Sequence, residues 1–163
     1  MKTVSKLIYT ALLVMAGFGA GAQEIPKWKI ADLEAAISQS TKPTIINFWA
    51  SFCKPCIAEI PYFKKTVAAY KSESVQLILV SHDMNETYSK LPVFIKKFGI
   101  DKTAVVFLDE TNADLFCPVA DPKWSGAIPA SLFINNKTGY RKFFEDGIAE
   151  GQFGKEVKLL VGK

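Results

Sequence analysis

The sequence is poor in the residues on which several protein classes depend. It has three cysteines, one histidine and one arginine among 163 residues. Three cysteines are too few for a disulfide scaffold, and the chain has no internal repeat or low-complexity tract. The formal net charge is +4, but the lysines are scattered among carboxylates without a basic stripe. We therefore expect one domain with a substantial core and no nucleic-acid partner.

The N-terminus carries the pattern of a secretory signal peptide. Lys2 and Lys6 precede an apolar run over residues 7–20, and Ala20-Gly21-Ala22 supplies the small residues that a signal peptidase reads. A retained anchor is the alternative, but the run is shorter than the ~20 apolar residues needed to span hydrocarbon. We predict cleavage after residue 22, export to the periplasm without stable membrane insertion, and one mature domain over residues 23–163.

Apolar runs alternate with helical patterns, which indicates an α/β fold. The predicted strands cover residues 44–50, 75–81, 104–108, 130–134 and 140–144. The predicted helices cover residues 31–40, 54–71, 86–98, 111–117 and 150–161. Pro61 is expected to kink the second helix, and Pro92 to interrupt or restart the third. Residues 23–29 are expected to be a polar lead-in, 118–127 a loop, and 135–139 a hairpin turn. The order βαβ then ββα predicts a mixed central sheet with helices on both faces, in which the first two strands are parallel.

Cys53 and Cys56 stand where the first predicted strand runs into the second predicted helix. The thiolate is the reactive form of cysteine, and a helix N-terminus presents free amides and a positive dipole end that stabilise it. Lys54 adds a nearby positive charge, and Pro55 suits a first turn, where its missing N–H is not needed. Because Cys56 lies one turn further on, it can resolve a mixed disulfide on Cys53 and release the partner with its sulfur reduced.

The C-x-x-C spacing alone fits two other roles. It fits half of a zinc site, but Cys117 and His82 are the only further candidates and neither has ligand spacing. It also fits a purely structural disulfide, which would hardly need to stand at the start of a helix. We interpret the pair as a redox disulfide and predict no metal.

The segment Phe48-Trp49-Ala50-Ser51-Phe52-Cys53-Lys54-Pro55-Cys56 resembles the active-site stretch of thioredoxins. Asn47 before it and Glu59-Ile60-Pro61 after it make it more similar to the exported reductases of the TlpA/ResA family. The resemblance covers about residues 28–161 and includes Ile128-Pro129. It implies a thioredoxin fold, a cis Pro129 against the two cysteines, and an Ile128 backbone that hydrogen-bonds an extended substrate segment. An ordinary proline at a strand start is the alternative.

Two departures from the thioredoxin pattern concern the proton acceptor and the rim of the site. Thioredoxins carry a buried Asp at the position of Asn47, where it assists proton transfer from the second cysteine. The side-chain amide of Asn47 cannot titrate and so cannot take this role. Glu59 matches a carboxylate used near the cysteines in the TlpA/ResA group, and a partly buried carboxylate there would take the proton of Cys56. A solvated helix face or an ion pair with lysine is the alternative for Glu59. Phe52 replaces the usual Trp and keeps an aromatic surface beside the sulfur.

Four other side chains have two interpretations each. His82 ends the second predicted strand as a hydrogen-bonded histidine or, less simply, as a metal ligand. Cys117 is a buried or loop thiol, or a cysteine that pairs with another protein. Trp124 lines the substrate groove or packs in the core, and Trp49 forms the wall of the site or part of the core.

The combined prediction is a thiol–disulfide oxidoreductase that acts on protein disulfides outside the cytoplasm; the resemblance implies the reductase direction. The predicted catalytic residues are Cys53, Cys56 and Glu59, and the predicted substrate-contacting residues are Phe52, Pro55, Trp124, Ile128 and Pro129. We expect a monomer without a dissociable cofactor that receives electrons from another dithiol protein. A thiol peroxidase is one alternative, but that chemistry needs an arginine beside the cysteine to hold the peroxide. The single arginine of this sequence, Arg141, lies in the predicted hairpin. A non-catalytic binding module on the same fold is the other.

Overall fold

The computed structural model describes residues 24–101 and 104–163, so the predicted signal peptide at 1–22 lies outside the described residues. The strands of the described part are β1 Lys27–Trp28, β2 Thr44–Trp49, β3 Gln76–Ser81, β4 Val105–Leu108, β5 Ala130–Asn135 and β6 Tyr140–Phe144. Its α-helices are α1 Ile30–Ser38, α2 Lys54–Ala69, α3 Leu91–Lys97, α4 Ala113–Ala120 and α5 Glu150–Leu160. Short 3-10 helices cover Lys71–Glu73 and Asn85–Lys90.

The strands form a single sheet in the order β1-β4-β3-β2-β5-β6. Strands β1, β4, β3 and β2 pair in parallel, whereas β5 is antiparallel to both of its neighbours. The predicted mixed sheet and the predicted parallel pair of first strands are therefore confirmed. Every residue of β2 and of β5 is buried, because these central strands are covered on both faces.

Two apolar layers cover the sheet, one on each face. Helices α2, α3 and α5 contribute to the layer that contains the cysteines, and α1 and α4 contribute to the other. Phe63 of α2 stacks on Phe153 of α5 with ring centroids 3.8 Å apart. This contact fixes the last helix against the helix that begins at the cysteines.

The two prolines expected to disturb helices differ in their positions. A new helix begins next to Pro92, as predicted, whereas Pro61 lies inside a continuous helix. Helix α3 begins at Leu91 with Pro92 in its first turn, where no hydrogen-bond donor is required. Helix α2 continues through Pro61 to Ala69. No helix of the described part is long and apolar enough to cross a membrane.

Two elements differ from the prediction. Strand β1 occupies the expected lead-in, but two residues are too few to produce a periodic pattern, and only its pairing with β4 defines it. Helix α4 runs through Pro118 to Ala120, where the sequence predicts a loop. The apolar face of α4 is buried, and the Arg141 guanidinium donates to the C=O of Ala120 at the end of the helix; both contacts stabilise the extension beyond the proline.

Candidate active site

The two cysteines lie at the start of α2, at the edge of the sheet where the parallel strands end. Cys53 is the N-cap residue, and its Sγ accepts a hydrogen bond from the N–H of Cys56 at 3.3 Å. The residues join in a disulfide, with their Cα atoms 5.3 Å apart. The free amide of Cys56 in the first turn thus points at the sulfur of Cys53, as the strand-to-helix pattern predicts.

The two sulfurs differ in their access to solvent. Cys53 is 8% exposed, whereas Cys56 is fully buried behind it. An external sulfur atom therefore reaches Cys53 first, and Cys56 acts from within the protein. The geometry supports the unequal roles that the sequence suggests for the pair.

Glu59 lies one turn after Cys56 and is buried. Its Oε1 accepts a hydrogen bond from the N–H of Ile148 at 2.6 Å, and its buried Oε2 has no partner among the described residues. Burial raises the pKa of Glu59 from 4.5 to about 7; the Ile148 hydrogen bond opposes this rise, and the charge of Asp146 adds to it. The solvated-face and ion-pair alternatives are therefore wrong, since the carboxyl is neither exposed nor paired with a lysine among these contacts.

The backbone at Gly147 and Ile148 packs between Glu59 and the proline turn. The hydroxyl of Tyr62 donates to the C=O of Ile148 at 2.6 Å, so α2 holds this residue by both backbone groups. A Cβ added at Gly147 would lie 3.0 Å from Oε1 of Glu59 and 4.0 Å from Cγ of Pro129. Only a residue without a side chain fits this close approach unchanged.

The Ile128–Pro129 peptide bond is cis, as the family resemblance implies. Pro129 is buried, and Ile128 packs against the cluster that contains both cysteines. Nearby, the side-chain amide of Asn47 donates to the C=O of Ala130 and to Oγ of Ser131, at 3.3 and 3.0 Å. Asn47 thus ties β2 to the start of β5 and takes no part in proton transfer.

The rim of the site includes one large apolar side chain. Phe52 is 66% exposed, and Pro55 is exposed beside it on the first turn of α2. Trp124 is instead buried, and its indole N–H donates to the C=O of Ala127 at 2.8 Å. It shapes the loop before the cis proline from beneath, so the packing interpretation is the one that the structure supports.

A buried carboxylate that the sequence interpretation did not assign lies next to the active-site turn. Asp83 accepts hydrogen bonds from the backbone N–H of Ser51 at 3.1 and 3.2 Å, from the hydroxyl of Ser51, and from the hydroxyl of Ser81 at 2.7 Å. A signal for this contact exists in the sequence. Ser51 and Asp83 each follow a buried strand by two residues, and the ends of neighbouring parallel strands meet at one edge.

The remaining candidate residues pack in or against the apolar layer on the other face of the sheet. The ring of His82 packs against Phe48, Phe116 and Trp124, and its buried Nε2 has no hydrogen-bond partner among the described residues, so the prediction of a hydrogen-bonded side chain is wrong at that atom. Burial lowers the pKa of His82 to about 4. Cys117 is a buried free thiol whose pKa is raised by burial. Within residues 24–101 and 104–163, no cluster of three or more His, Cys, Asp or Glu side chains is arranged to hold a metal.

The AhpC/TSA family model matches residues 18–139 of the chain. Thiol-disulfide oxidoreductase ResA of Oceanobacillus iheyensis is 35% identical over 69 residues, which are 37% of this chain and 36% of that protein. The protein of the same name from Halalkalibacterium halodurans is 25% identical over 119 residues, 73% of this chain and 62% of that protein. The chain thus covers less than two thirds of the length of either relative.

Among solved structures, the thioredoxin-related protein from Neisseria meningitidis serogroup B superposes with a TM-score of 0.64 and 25% identity. The superposition covers 77% of this chain and 90% of that one. This likeness confirms the predicted thioredoxin fold.

Proposed function

The chain belongs to the AhpC/TSA family, and on that premise we propose that it is a thiol–disulfide oxidoreductase that reduces protein disulfides outside the cytoplasm. The observation that carries the proposal is the Cys53–Cys56 disulfide at the start of α2, with Cys53 8% exposed and Cys56 fully buried. The names of the curated relatives agree with this chemistry.

The reaction begins with the reduced pair. The Cys53 thiolate, stabilised by the amide of Cys56 at the helix N-terminus, attacks one sulfur of a substrate disulfide. The substrate's other sulfur leaves as a thiolate, and a mixed disulfide forms on Cys53. Cys56, after losing its proton, attacks the Cys53 sulfur and expels the second substrate thiolate. Two electrons have then passed to the substrate, and Cys53 and Cys56 are joined in a disulfide.

Glu59 is the proton acceptor in this scheme. Its Cβ lies about 5–6 Å from that of Cys56, as the i, i+3 spacing on a helix dictates, and one carboxylate oxygen is free of partners among the described residues. A pKa of about 7 suits a group that accepts and returns a proton near neutral pH.

The substrate binds across the rim. The Ile128 backbone pairs with an extended segment of the substrate, Pro129 contacts the sulfurs, and Phe52 and Pro55 contact apolar side chains that flank the substrate cysteine. The exposure of Phe52 supports this arrangement, and Trp124 contributes by fixing the loop before Ile128. A dithiol protein returns the electrons, and the predicted signal peptide at residues 1–22 supports an exchange outside the cytoplasm.

Insulin reduction and covalent trapping test the proposal. The protein with both cysteines should reduce insulin disulfides at the expense of dithiothreitol, and Cys53→Ala should abolish that activity. Cys56→Ala should accumulate a mixed disulfide through Cys53 that mass spectrometry identifies. Cys117→Ala is the matched control, since this buried thiol lies outside the site, and it should retain activity. Full activity in Cys53→Ala, or peroxide consumption that survives Cys56→Ser, would contradict the proposal.

A further inference from the structure

The segment that leads into Cys53 is a tight turn held at both ends. The N–H of Cys53 donates to the C=O of Ala50 at 3.0 Å, which leaves Ser51 and Phe52 at the two central positions. Phe52 projects into solvent from this turn, whereas Ser51 is fastened inward by its backbone N–H and its hydroxyl. One carboxylate, that of Asp83, receives both of these bonds.

The Asp83 carboxylate is buried and accepts hydrogen bonds at both of its oxygens. It is 4% exposed, and the hydroxyl of Ser81 donates to its second oxygen at 2.7 Å. All these contacts use its oxygens as acceptors, which is the hydrogen-bonding role of an ionised carboxylate. The salt bridges of the described residues do not include Asp83, so neutral donors alone compensate its charge.

This carboxylate lies near the residue that carries the reactive sulfur. It accepts a hydrogen bond from the N–H of Ser51 at 3.1 Å, and at most two Cα–Cα steps of about 3.8 Å separate Ser51 from Cys53, which places the charge within about 12 Å of the Cα of Cys53. A negative charge at such a distance disfavours a thiolate. For an effective dielectric constant of about 20, the effect on thiolate formation is on the order of tenfold.

We propose that Asp83 is a positioning residue of the redox pair: fixed through Ser51 and Ser81 behind the active-site turn, it opposes formation of the Cys53 thiolate and thereby favours the disulfide. The consequence is a stronger reductant, because a less stable reduced form gives up its electrons more readily. The inference rests on the proposed function for its biological meaning.

Other charged groups near the pair act in different directions. Lys54 on the first turn of α2 is exposed and favours the thiolate. Asp146, from the segment before α5, adds negative charge on the side of Cys56, whereas the raised pKa of Glu59 keeps that carboxyl mainly neutral at pH 6. His82 is adjacent to Asp83, and its lowered pKa keeps it neutral. Substitution at Asp83 alone therefore isolates its contribution.

Alkylation of Cys53 measures the effect without requiring disulfide exchange. In the Cys56→Ser background, the rate of iodoacetamide modification at pH 6 is followed by mass spectrometry on the peptide that contains Cys53. Asp83→Asn keeps the shape and an acceptor for Ser51 but removes the charge. We expect the thiolate population to rise about tenfold and alkylation to be about threefold faster, because a thiolate of lower pKa is a weaker nucleophile. Ser51→Ala and Ser81→Ala keep the charge and remove a compensating donor, so both should slow alkylation about two- to threefold.

The opposite signs distinguish a charge effect from a loosened turn. Disruption of the turn would change the rate in the same direction in all three variants, and that result would overturn the proposal. So would an unchanged or slower rate in Asp83→Asn. If Asp83→Asn does not fold, the two serine variants decide: slower alkylation supports the proposal, and an unchanged or faster rate refutes it. Glu156→Gln removes another buried carboxylate, hydrogen-bonded by Tyr140 near the opposite end of the sheet, and should leave the rate unchanged.

The equilibrium with glutathione gives a second readout in the protein with both cysteines. The reaction converts the protein disulfide and two glutathione thiols into the protein dithiol and glutathione disulfide. At a pH where Cys53 is mainly the thiolate in both proteins, its equilibrium constant should rise about tenfold in Asp83→Asn, equivalent to about 30 mV for a two-electron couple. An enzyme that fails to reduce insulin but shows these alkylation rates would refute the proposed function and leave the role of Asp83 intact.

Discussion

Glu59→Gln should make the protein more stable at neutral and alkaline pH. The variant keeps the shape of the side chain and an oxygen that accepts the 2.6 Å hydrogen bond from Ile148. It removes a carboxyl that is 5% exposed and has an oxygen without a partner among the described residues. Burial of this group in its charged form costs free energy that a neutral amide does not incur.

The magnitude follows from the pKa of Glu59, which burial raises from 4.5 to about 7. This change corresponds to about 3 kcal/mol between the charged and the neutral form of the folded protein. Below pH 4.5 the carboxyl is neutral in both the folded and the unfolded chain, so it does not lower the free energy of unfolding. As the pH rises towards 7 the unfolded chain loses this proton first, so the folded state loses stability until its own carboxyl ionises. The difference between variant and wild type should therefore grow from near zero at pH 4.5 to about 3 kcal/mol at pH 8.

Urea unfolding of the oxidised proteins between pH 5 and pH 8 measures this difference, since the disulfide prevents the two cysteines from titrating. Glu34→Gln, on an exposed position of α1, is the matched control and should track the wild type at every pH. A free-energy difference between Glu59→Gln and wild type that is constant across this range would refute the reasoning. The same variant should also retain the mixed disulfide longer, because Cys56 loses its proton acceptor.

Three further substitutions test separate parts of the site. Gly147→Ala places a Cβ 3.0 Å from Oε1 of Glu59, so it should cost about 1 kcal/mol in urea unfolding and slow the release of substrate from the mixed disulfide; unchanged stability and release would contradict the close approach. Arg141→Gln removes the charged donor to the C=O of Ala120 and should cost about 1 kcal/mol while insulin reduction stays unchanged, whereas a specific loss of activity would indicate that this arginine acts in catalysis. Phe52→Ser alters a side chain that is 66% exposed, so stability should change by less than about 0.5 kcal/mol while KM for insulin rises several-fold; an unchanged KM would remove Phe52 from the substrate surface.

The sequence was sufficient to predict the sheet and the placement of the redox pair because both depend on local patterns. Six consecutive buried residues in β2 produce an apolar run that indicates a central strand, and the proline after Cys53 suits a helix start. The pairing of the short strand β1 with β4 leaves no such local signal. The extension of α4 beyond Pro118 depends on Arg141, which is far away in the chain.

The surroundings of the cysteines were less predictable for the same reason. The pKa of Glu59 depends on the amide of Ile148 and the charge of Asp146, and neither is near Glu59 in the sequence. The contact between Ser51 and Asp83 spans two strand ends, and it becomes visible only when the register of β2 and β3 is known.

The hydrogen bond between Ile148 and Glu59 provides a spectroscopic reporter of the site. The amide proton of Ile148 points at the titrating carboxylate. Its nitrogen and proton resonances should therefore follow the protonation of Glu59 without a chemical probe attached to the active site. The hydroxyl of Tyr62 holds the carbonyl of the same residue, so the peptide group stays fixed while the charge changes. A single cross-peak in a backbone NMR spectrum would thus report whether Glu59 is protonated in the oxidised and in the reduced protein.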